Sequence, residues 1–354
     1  MIKPRKCIEE TVRVRENEPS RLFKVRLDRN ERNHPFTEAF IERLRKSLSG
    51  EILQVYPEPE PLYQAFSAFA GVDRNELLFN SGSDQSIKSV FETYVDPGDR
   101  ILLHRPGYAM YPVYAGLFGA TAEYQDFDAD LHFDYNAYIE RITGRYKIAV
   151  LENPNGFVGA APAENVLRRF IDRCEDQGVI ALIDEAYYHF HPVTAAEMIR
   201  QRENLIVVRT FSKAFGVAGV RAGYILSNRT NIEYLYRVKP MHELNSLAIF
   251  VILELLKDPQ EFFSYVQATG DSRNHLRSGF AKLGIETGES AANFVAARLG
   301  KVTSGINLSE VMREQGILIR RPFREAHLLE WTRIATGPIP DMDRVLSIVR
   351  GLLL

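Results

Sequence analysis

The sequence predicts an α/β protein with a mostly parallel central sheet flanked by helices and a smaller α+β unit at the carboxyl end. Two observations support this prediction. Short apolar runs that have the character of buried strands alternate with segments of helical periodicity through the middle of the chain. From about Asp258 this alternation gives way to one long polar helix, followed by three strands and two further helices.

Six runs in the middle of the chain are predicted strands, because each is short, apolar and bounded by turn-forming residues. They are residues 76–79, 100–104, 147–152, 179–184, 205–209 and 222–226. In the smaller unit, strands are predicted at 293–298, 317–320 and 332–336, with a helix at 308–315. A closing helix is predicted where apolar residues keep helical spacing, at Met342, Val345, Leu346, Val349 and Leu352.

Composition excludes several classes of protein. The 354 residues carry a net charge of −2 and are 45% hydrophobic, which supplies a sizeable core and gives no reason to expect nucleic acid or an anionic membrane surface as a partner. The longest apolar run, residues 247–253, is too short to cross a bilayer, and residues 1–19 lack the apolar centre of a secretory signal. Only Cys7 and Cys174 occur, which fits a reducing compartment. We therefore expect a cytoplasmic protein.

The stretch from Thr210 to Tyr224 gathers a lysine, two hydroxyl side chains, an arginine and three glycines directly after an apolar run. A lysine at the carboxyl end of a strand, flanked by phosphate ligands, suits a cofactor that carries both an aldehyde and a phosphate, and pyridoxal phosphate is that cofactor. Lys213 would bond the aldehyde, while Thr210, Ser212 and Arg221 would hold the phosphate. On these residues alone, a glycine-rich turn with solvated cations explains the pattern equally well.

The pattern Thr-x-Ser-Lys-x-x-x-x-x-Gly-x-Arg-x-Gly resembles the signature of fold-type I pyridoxal-phosphate enzymes of the aspartate aminotransferase superfamily. The segment Ser-Lys-Ala-Phe-Gly-x-Ala-Gly-x-Arg-x-Gly is most similar to histidinol-phosphate aminotransferases, and the likeness extends from about Leu27 to Thr336. It implies an aspartate aminotransferase-like fold with an N-terminal arm and part of the small domain in residues 1–45. The large cofactor-binding domain would span residues 46–260 and the small C-terminal domain 261–354.

A second segment carries phosphate-binding character. Ser81 and Asp84 have the spacing of a capping box, which predicts a helix whose first backbone N–H groups point outward. Most capped helices bind nothing, so the spacing alone is weak. In the related enzymes a Gly-Ser-Asp turn cups the cofactor phosphate, and the resemblance therefore assigns this role to Gly82, Ser83 and Asp84.

The apolar run that ends at Asp184 predicts a third part of the site, because a carboxylate there is costly unless a cation meets it. Asp184 is expected to keep the pyridine nitrogen of the cofactor protonated. The resemblance assigns Tyr108 to stacking on the ring and Tyr187 to the ring 3′ oxygen. An apolar strand that ends in Asp-Glu also occurs in nucleotidases, but their Gly-x-x-x-x-Gly-Lys-[Ser/Thr] loop is missing from this sequence. His189 and His191 are expected to be structural, and no metal is expected.

One segment departs from the family. The relatives carry Asn-Pro-Thr-Gly, whose asparagine also bonds the ring 3′ oxygen, whereas residues 152–159 here read Glu-Asn-Pro-Asn-Gly-Phe-Val-Gly. Alignment on Asn153 keeps an asparagine but lengthens the path to the next strand. Alignment on Gly159 keeps the spacing and places Gly156 at that position. We expect Asn153 or Asn155 to take the role of the asparagine.

The substrate side and the oligomeric state rest on the resemblance. Arg333 and Arg320 match two arginine-bearing strands of the family, and a planar guanidinium suits a carboxylate or a phosphate. Arg333 would take that group with Arg320 assisting, whereas Arg321 would be solvated. Asn30 lies in a segment that resembles the lid of the family and is expected to contact substrate. Tyr56 would contact the cofactor phosphate of a partner subunit, which implies a homodimer with shared sites.

The resemblance implies transamination between a small phosphorylated amine or amino acid and a 2-oxo acid, with Lys213 as general base and acid. A phosphoamino-acid decarboxylase would carry the same cofactor residues and stays open. A silent binding protein on this scaffold would be expected to lack Lys213. Residues 241–245 lack the proline-bearing pattern of a true histidinol-phosphate enzyme. The amino donor is therefore left open, and its selection is expected to involve scattered side chains, among them Tyr108, His242, Glu243 and Asn245.

Overall fold

The computed structural model describes residues 2–11, 21–300, 302 and 305–353. Residues 12–19, part of the segment in which no secretory signal is expected, lie outside this description. The strands are β1 (Val25–Leu27), β2 (Leu77–Asn80), β3 (Arg100–Arg105), β4 (Thr121–Asp126), β5 (Ile148–Glu152), β6 (Ile180–Asp184), β7 (Leu205–Thr210), β8 (Gly223–Ser227), β9 (Phe294–Arg298), β10 (Ile317–Ile319) and β11 (Trp331–Ala335). The α-helices are α1 (Lys6–Glu10), α2 (Glu38–Ser47), α3 (Gly50–Gln54), α4 (Glu60–Ala70), α5 (Ser83–Tyr94), α6 (Met110–Leu117), α7 (Tyr135–Glu140), α8 (Glu164–Asp176), α9 (Arg229–Val238), α10 (Ser246–Leu256), α11 (Gln260–Lys282), α12 (Gly305–Glu314) and α13 (Ile339–Leu353).

The main sheet has seven strands in the order β2-β8-β7-β6-β5-β3-β4. Strand β8 runs antiparallel to its neighbours β2 and β7, and the other pairings are parallel. The parallel strands therefore end at one common edge, where α/β sheets place their ligand sites. The prediction of an α/β fold with a mostly parallel sheet is confirmed.

The central strands are apolar along their whole length because both of their faces are covered. In β5, Ala149 and Leu151 enter the core on one face of the sheet, whereas Ile148 and Val150 enter the core on the other. Alternate side chains of a strand point to opposite faces, so a strand with helices on both sides needs an apolar residue at every position. This burial explains why the six middle strands could be found from the sequence, each within one or two residues of its observed ends.

Two strands escaped the sequence analysis. Strand β4 lies at the edge of the main sheet, and its side chains are exposed or half-buried, so it has no apolar run. Strand β1 has three residues and pairs in parallel with β10, with Val25 opposite Ile317. Pairing of so short a strand is decided by tertiary contact with a distant segment, which local sequence does not encode.

A separate core lies in the carboxyl-terminal unit, where β9 and β11 form an antiparallel pair. Leu27 of β1 is fully buried in this core, so the amino-terminal segment packs against the end of the chain. The buried ion pair of Arg32 and Glu261, 2.7 Å apart, makes a second link. The domain boundaries near residues 45 and 260 stay a prediction.

In the part of the chain that the structure describes, no helix combines the length and the apolar character that a bilayer crossing requires. Cys7 is half-buried and Cys174 is buried, and both are free thiols. Burial raises the pKa of the Cys174 thiol, so this thiol stays protonated and packs as a small apolar side chain.

Candidate active site

A cavity of about 430 Å³ opens at the carboxyl edge of the main sheet. Its floor comes from the ends of β5, β6 and β7, and its opposite wall comes from the loop at residues 29–31 and from the carboxyl-terminal unit. The lining residues are Arg29, Asn30, Glu31, Ser83, Asp84, Tyr108, Ala109, Glu152, Pro154, Gly156, Phe157, Asp184, Ala186, Tyr187, Thr210, Ser212, Lys213, Ala218, Arg221, Arg320 and Arg333.

The amine of Lys213 lies in this cavity, three residues beyond the end of β7. Its Nζ donates hydrogen bonds to the backbone oxygens of Arg29, at 2.9 Å, and Asn30, at 3.2 Å. Loss of hydration lowers the pKa of Lys213 to about 7, and the positive charges of Arg333 and Arg221 act in the same direction. Near neutral pH a substantial share of the amine is unprotonated, which a nucleophile or a general base requires.

Asp184 ends β6 on the cavity floor and is 5% exposed. It accepts hydrogen bonds from the hydroxyl of Tyr111, at 2.9 Å, and the backbone N–H of Ala186, at 3.0 Å. Burial and, to a smaller extent, the nearby carboxyl group of Glu152 together raise the pKa of Asp184 to about 7. A buried carboxylate is stabilised by a cationic partner, and a protonated ring nitrogen is one.

The next residue, Glu185, points away from the cavity. Its carboxylate pairs with the guanidinium of Arg209 at 2.8 Å, and both side chains are buried. It also accepts hydrogen bonds from the Thr194 hydroxyl and the Ala195 N–H. Asp184 and Glu185 therefore have different roles, because consecutive side chains at a strand end face opposite sides of the sheet.

The amino terminus of α5 borders the cavity and has no side-chain cap. The predicted capping box between Ser81 and Asp84 is wrong. The Ser81 N–H and hydroxyl are hydrogen-bonded to Glu243 instead, at 2.8 and 2.6 Å, and Asp84 accepts a hydrogen bond from Tyr114 at 3.1 Å. The free end of α5 thus presents Ser83 and Asp84 to the cavity with the positive end of the helix dipole.

Three further polar groups lie at the same end of the cavity. The hydroxyl of Thr210 donates to the hydroxyl of Ser212 at 3.0 Å. A Cβ atom at Gly82 would lie 3.1 Å from Nη2 of Arg221, so the guanidinium passes close to the turn before α5. Gly82 also has a φ of 89°, which favours glycine. Backbone amides at a helix start, two hydroxyls and one guanidinium are the groups that bind a phosphate.

The opposite wall carries two arginines. Arg333 donates from Nη1 to the backbone oxygen of Gly156, at 2.6 Å, and from Nη2 to that of Asp28, at 3.1 Å. Its Nε is buried without a partner, and burial lowers the pKa of Arg333 to about 10. Arg320 lines the same wall, whereas Arg321 is exposed. A buried guanidinium with an unused donor can accept an anionic substrate group.

Polar and aromatic side chains complete the cavity. Asn30 has a φ of 56° and donates from Nδ2 to the hydroxyl of Tyr187 at 2.7 Å, while its Oδ1 is buried without a partner. Tyr108 lies at the mouth, 36% exposed, with its hydroxyl 3.5 Å from Asp84. Burial raises the pKa of Tyr187 to about 12, so its hydroxyl remains a hydrogen-bond donor at neutral pH.

Neither asparagine expected at the family's Asn-Pro-Thr-Gly position lines the cavity. Asn153 donates from Nδ2 to the backbone oxygen of Val193 at 2.9 Å. Asn155 donates to the backbone oxygen of Pro106 at 3.0 Å, and its Oδ1 accepts the backbone N–H groups of the following turn. The structure thus brings neither side chain to the cavity, because both side chains hold the loop itself. Gly156 lines the cavity instead.

Two ionisable side chains of the site were not assigned a role by the sequence analysis. Glu152 lines the cavity, and Tyr111, which does not line it, donates from its hydroxyl to the carboxyl group of Asp184. A usable signal existed for Glu152, since it ends an apolar run as Asp184 does. Tyr111 gives no such signal, because it lies on a helix whose aromatic residues have ordinary core spacing.

Four residues expected at or near the site lie outside the cavity of a single chain. Tyr56 is 76% exposed and stacks on His242 with ring centroids 4.5 Å apart. Glu243 holds Ser81, and Asn245 caps α10 by accepting from the backbone N–H of the third residue in that helix. Selection of the donor by His242, Glu243 or Asn245 therefore finds no support in one chain, and the role of Tyr56 toward a partner stays a prediction.

Among the residues that the structure describes, no group of three or more His, Cys, Asp or Glu side chains is arranged to hold a metal ion. The His189 ring packs 5.2 Å from Phe262 and 5.3 Å from Phe215, measured between centroids. Burial lowers the pKa of His189 to about 4 and also lowers that of His191. Both imidazoles are therefore neutral at physiological pH.

Comparison with known proteins shows the family of this chain. Residues 24–349 match the family described as aminotransferase class I and II. The chain belongs to that family. This aminotransferase is a pyridoxal-phosphate-dependent transaminase of fold type I, as the resemblance predicted, and the nucleotidase and silent-protein alternatives are excluded.

Histidinol-phosphate aminotransferases are among the similar proteins. That of Caldanaerobacter subterraneus subsp. tengcongensis is 32% identical over 342 residues, which are 94% of this chain and 93% of the relative. The crystal structure of the enzyme from Sinorhizobium meliloti in complex with pyridoxal 5′-phosphate has a TM-score of 0.83 at 24% identity, over 93% of this chain and 91% of that one. The enzyme from Clostridium acetobutylicum has a TM-score of 0.83 at 21% identity, over 93% and 99% of the two chains. The two structures establish the shared fold.

Proposed function

We propose that this aminotransferase moves an amino group between a small phosphorylated amine or amino acid and a 2-oxo acid, such as 2-oxoglutarate. The observation that carries the proposal is the guanidinium of Arg333, which is 6% exposed, lines the cavity and leaves its Nε without a hydrogen-bond partner. Arg320 adds a second positive charge to the same wall. The relatives named histidinol-phosphate aminotransferases support a phosphorylated donor.

We assign the cofactor contacts to the residues that form the cavity floor. When bound, pyridoxal phosphate supplies an aldehyde and an electron-accepting ring. Lys213 would hold the aldehyde, Asp184 the ring nitrogen, Tyr108 the ring face and Tyr187 a ring oxygen. The phosphate would lie against Gly82, Ser83 and Asp84 at the start of α5 and against Thr210, Ser212 and Arg221. These groups match the aldehyde, the nitrogen and the phosphate in chemical type.

Two residues of the chain would act directly on the substrate. The amine of Lys213 is partly neutral near pH 7. It is therefore suited to take a proton from the substrate Cα and to deliver it to C4′ of the cofactor. Arg333, with Arg320 and Asn30, would fix the anionic group of the substrate so that Cα lies within reach of that amine.

We also propose a cytoplasmic homodimer with shared sites. The support is a group of exposed apolar side chains around Tyr56, namely Leu53, Val55 and Met241, which are 66, 56 and 88% exposed. Monomeric proteins rarely leave such side chains together in water. The division into residues 1–45, 46–260 and 261–354 is part of this proposal, with the cleft between the two larger parts as the cofactor site.

A panel of donors tests the function. Purified holoenzyme is incubated with 2-oxoglutarate and with histidinol phosphate, phosphoserine, phosphothreonine or the matching unphosphorylated compound, and glutamate formation is measured. We expect kcat/KM to be at least about tenfold higher for a phosphorylated donor than for its unphosphorylated partner, because one charge-assisted contact is worth about 1.5–3 kcal/mol.

Two outcomes contradict the proposal. Equal rates with both members of each pair would show that phosphate is not recognised. Release of carbon dioxide from phosphoserine or phosphothreonine without glutamate would identify a phosphoamino-acid decarboxylase. Arg321→Ala removes a positive charge from an exposed position outside the cavity. As a control, it is expected to keep the wild-type preference for phosphorylated donors.

A further inference from the structure

A second carboxyl group lies on the cavity floor, and the family pattern does not account for it. Glu152 ends β5 as Asp184 ends β6, and the two residues are partners in the parallel register of these strands. Glu152 is 4% exposed and lines the cavity. A carboxyl group buried beside another carboxyl group is costly, so its presence in a binding cavity points to a ligand.

Two glycines leave the room that this carboxyl group occupies. A Cβ atom at Gly107 would lie 2.9 Å from Oε1 of Glu152, and a Cβ atom at Gly156 would lie 3.2 Å from Oε2. At Gly107 the backbone oxygen of His104, at 2.8 Å, also excludes a Cβ atom, whereas a Cβ atom at Gly156 would require the Glu152 carboxyl group to shift by a few tenths of an ångström. The carboxyl group therefore fills the space above two residues that have no side chain of their own.

Backbone groups fix the carboxyl group in this place. Oε1 accepts the N–H of Tyr108 at 2.5 Å, and Oε2 accepts the N–H of Gly156 at 2.6 Å. The N–H of Glu152 itself donates to Nε2 of His104 at 3.1 Å. Each carboxyl oxygen thus makes one backbone contact and keeps one lone-pair direction for a further partner.

The Glu152 carboxyl group lies in the same segment, residues 152–159, in which the sequence departs from the Asn-Pro-Thr-Gly pattern of the family. Counting back from Gly159 places Gly156 where the relatives have the asparagine of Asn-Pro-Thr-Gly, and Asn153 and Asn155 both face away from the cavity. The Cβ position of Gly156 is 3.5 Å from Cε2 and 3.6 Å from the hydroxyl of Tyr187. A side chain reaching this point from residue 156 would meet the carboxyl group that already arrives from Glu152.

We propose that Glu152 binds the ring 3′ oxygen of pyridoxal phosphate beside Tyr187, in place of the asparagine that the relatives carry at the position of Gly156. The exchange of asparagine for glycine and the presence of Glu152 are then one coupled change: the glycine opens the space and the glutamate fills it with a polar group. This inference rests on the assignment of Lys213 and Asp184 to the cofactor made above.

A carboxyl group donates a hydrogen bond to an anionic oxygen only in its protonated form. Burial raises the pKa of Glu152 to about 7, against the opposing effect of the Gly156 and Tyr108 N–H groups and of Arg333. The titratable groups around it are His104, Tyr108, Tyr111, Tyr138, Asp184, Tyr187 and Arg333. Donation therefore weakens as pH rises above about 7.

The test measures binding of pyridoxal phosphate to the apo-forms of wild type, four variants and one control variant by equilibrium dialysis and by the visible absorbance of the bound cofactor, with no substrate present. Glu152→Ala is expected to weaken binding about 10- to 100-fold, as loss of a hydrogen bond to a charged group does. Glu152→Gln keeps a donor and is expected to stay within about threefold. Gly156→Asn alone is expected to weaken binding about tenfold or more, since it crowds the Glu152 carboxyl group.

The double variant Glu152→Ala with Gly156→Asn restores the arrangement of the relatives and is expected to regain binding to within about threefold of wild type. Such recovery is a coupling that two independent sites do not show. Glu254→Gln is the control, because Glu254 is also 4% exposed but lies on α10 outside the cavity. Thermal unfolding of each apo-form shows whether the variants fold.

A Glu152→Ala variant that binds the cofactor as tightly as wild type overturns the inference, as does a double variant no better than Glu152→Ala. Should Glu152→Ala fail to fold, the ratio of the wild-type dissociation constant to that of Glu152→Gln decides. It is expected to rise about tenfold between pH 6 and pH 9, and a constant ratio refutes the inference. A chain that gives these binding results yet transaminates no phosphorylated donor refutes only the proposed substrate.

Discussion

At the scale of single residues, burial moves the pKa of three cavity groups, each of which is charged at neutral pH in water, to near neutrality. Burial lowers the pKa of Lys213 to about 7 and raises those of Asp184 and Glu152 to about 7. The cause is the same in the three cases, because removal from water disfavours the charged form of an acid and of a base alike. A bound ligand that carries both positive and negative charges can shift the pKa values of all three groups again.

Replacement of Lys213 by alanine is expected to lower transamination by at least about 10³-fold, since both the bond to the aldehyde and the general base are lost. The measurement is turnover together with the mass of the protein after borohydride reduction of the holoenzyme. Wild type is expected to retain one covalent cofactor and Lys213→Ala none. Lys46→Ala, which removes an exposed lysine on α2, should behave as wild type. A cofactor adduct on Lys213→Ala would contradict the assignment.

Glu152 is expected to affect the stability of the apo-protein in one pH window. Its pKa rises from 4.5 to about 7 on folding, so the folded state binds more protons than the unfolded state between these values. The free energy of unfolding therefore falls as pH increases through this window. Glu152→Gln removes this contribution, while Asp184 and Lys213 continue to titrate.

Urea unfolding at pH 5 and pH 8 checks this prediction. The decrease in the free energy of unfolding between the two pH values should be smaller in Glu152→Gln than in wild type by about 1–3 kcal/mol. An equal decrease in both proteins would mean that Glu152 is charged in the folded state at both pH values.

Arg333→Lys tests recognition of the anionic group on the substrate. A lysine keeps the charge but cannot form the fork of two parallel hydrogen bonds, so KM for the phosphorylated donor is expected to rise about 10- to 100-fold with a smaller change in kcat. Steady-state kinetics with a saturating oxo acid measures both constants. Arg321→Ala is the matched control and should leave KM within about twofold. An unchanged KM in Arg333→Lys would remove Arg333 from the substrate site.

At the scale of elements, the parallel register of the main sheet determines which side chains meet. Strands β5 and β6 pair so that Glu152 lies beside Asp184, and the turn after β7 brings Lys213 to the same edge. Alternation then sends Glu185 to the opposite side, where Arg209 neutralises it. The floor of the site is a property of three aligned strand ends.

Helices α11 and α13 make a close approach that depends on one residue. A Cβ atom at Gly279 of α11 would overlap the side chain of Leu346 on α13, whereas a Cβ atom at Gly270 of the same helix would meet nothing within 4 Å. Gly279→Ala is therefore expected to lower the free energy of unfolding by about 1–3 kcal/mol. Gly270→Ala is expected to raise it by up to about 1 kcal/mol, since alanine favours helix.

Chemical denaturation of the two glycine variants measures both values. The effect of Gly279→Ala should be smaller in a Leu346→Ala background, because the overlapping side chain is absent there. Stabilisation by both substitutions would show that the helices lie further apart than described.

At the scale of the whole molecule, the proposed dimer predicts complementation between two impaired chains. Tyr56 lies outside the cavity of its own chain, so in a shared site it would serve the partner. Co-expression of Tyr56→Ala and Lys213→Ala chains with different affinity tags is expected to give hybrid dimers with one intact site. Their activity should approach about half that of wild type, well above either parent.

Size-exclusion chromatography with light scattering gives the mass of the purified protein, which should be twice that of one chain. A monomer, or hybrid dimers with no more activity than the mean of the two parents, would contradict shared sites. Wild-type dimers whose two chains carry the two different affinity tags control for loss of activity during purification.

Local sequence was sufficient where the cause of structure is local. Strands buried on both faces give continuous apolar runs. Lys213 and the proposed phosphate ligands Thr210, Ser212 and Arg221 lie within twelve residues of one another in the chain. The capping box failed because a serine at the right spacing was engaged by Glu243, more than 160 residues away. Strand β4 was missed because an edge strand needs no apolar run.

The sequence determined the fold class through its periodicity, and it determined the cofactor through the resemblance of its motifs to a known family, which also assigned the roles of Lys213 and Asp184. Only the tertiary structure decided that Arg333 and Asn30 reach the same cavity, and that both asparagines after β5 turn away while Glu152 turns in. The physical reason is that the direction of a loop side chain depends on which backbone partners lie nearby, and those partners come from segments far away in the chain.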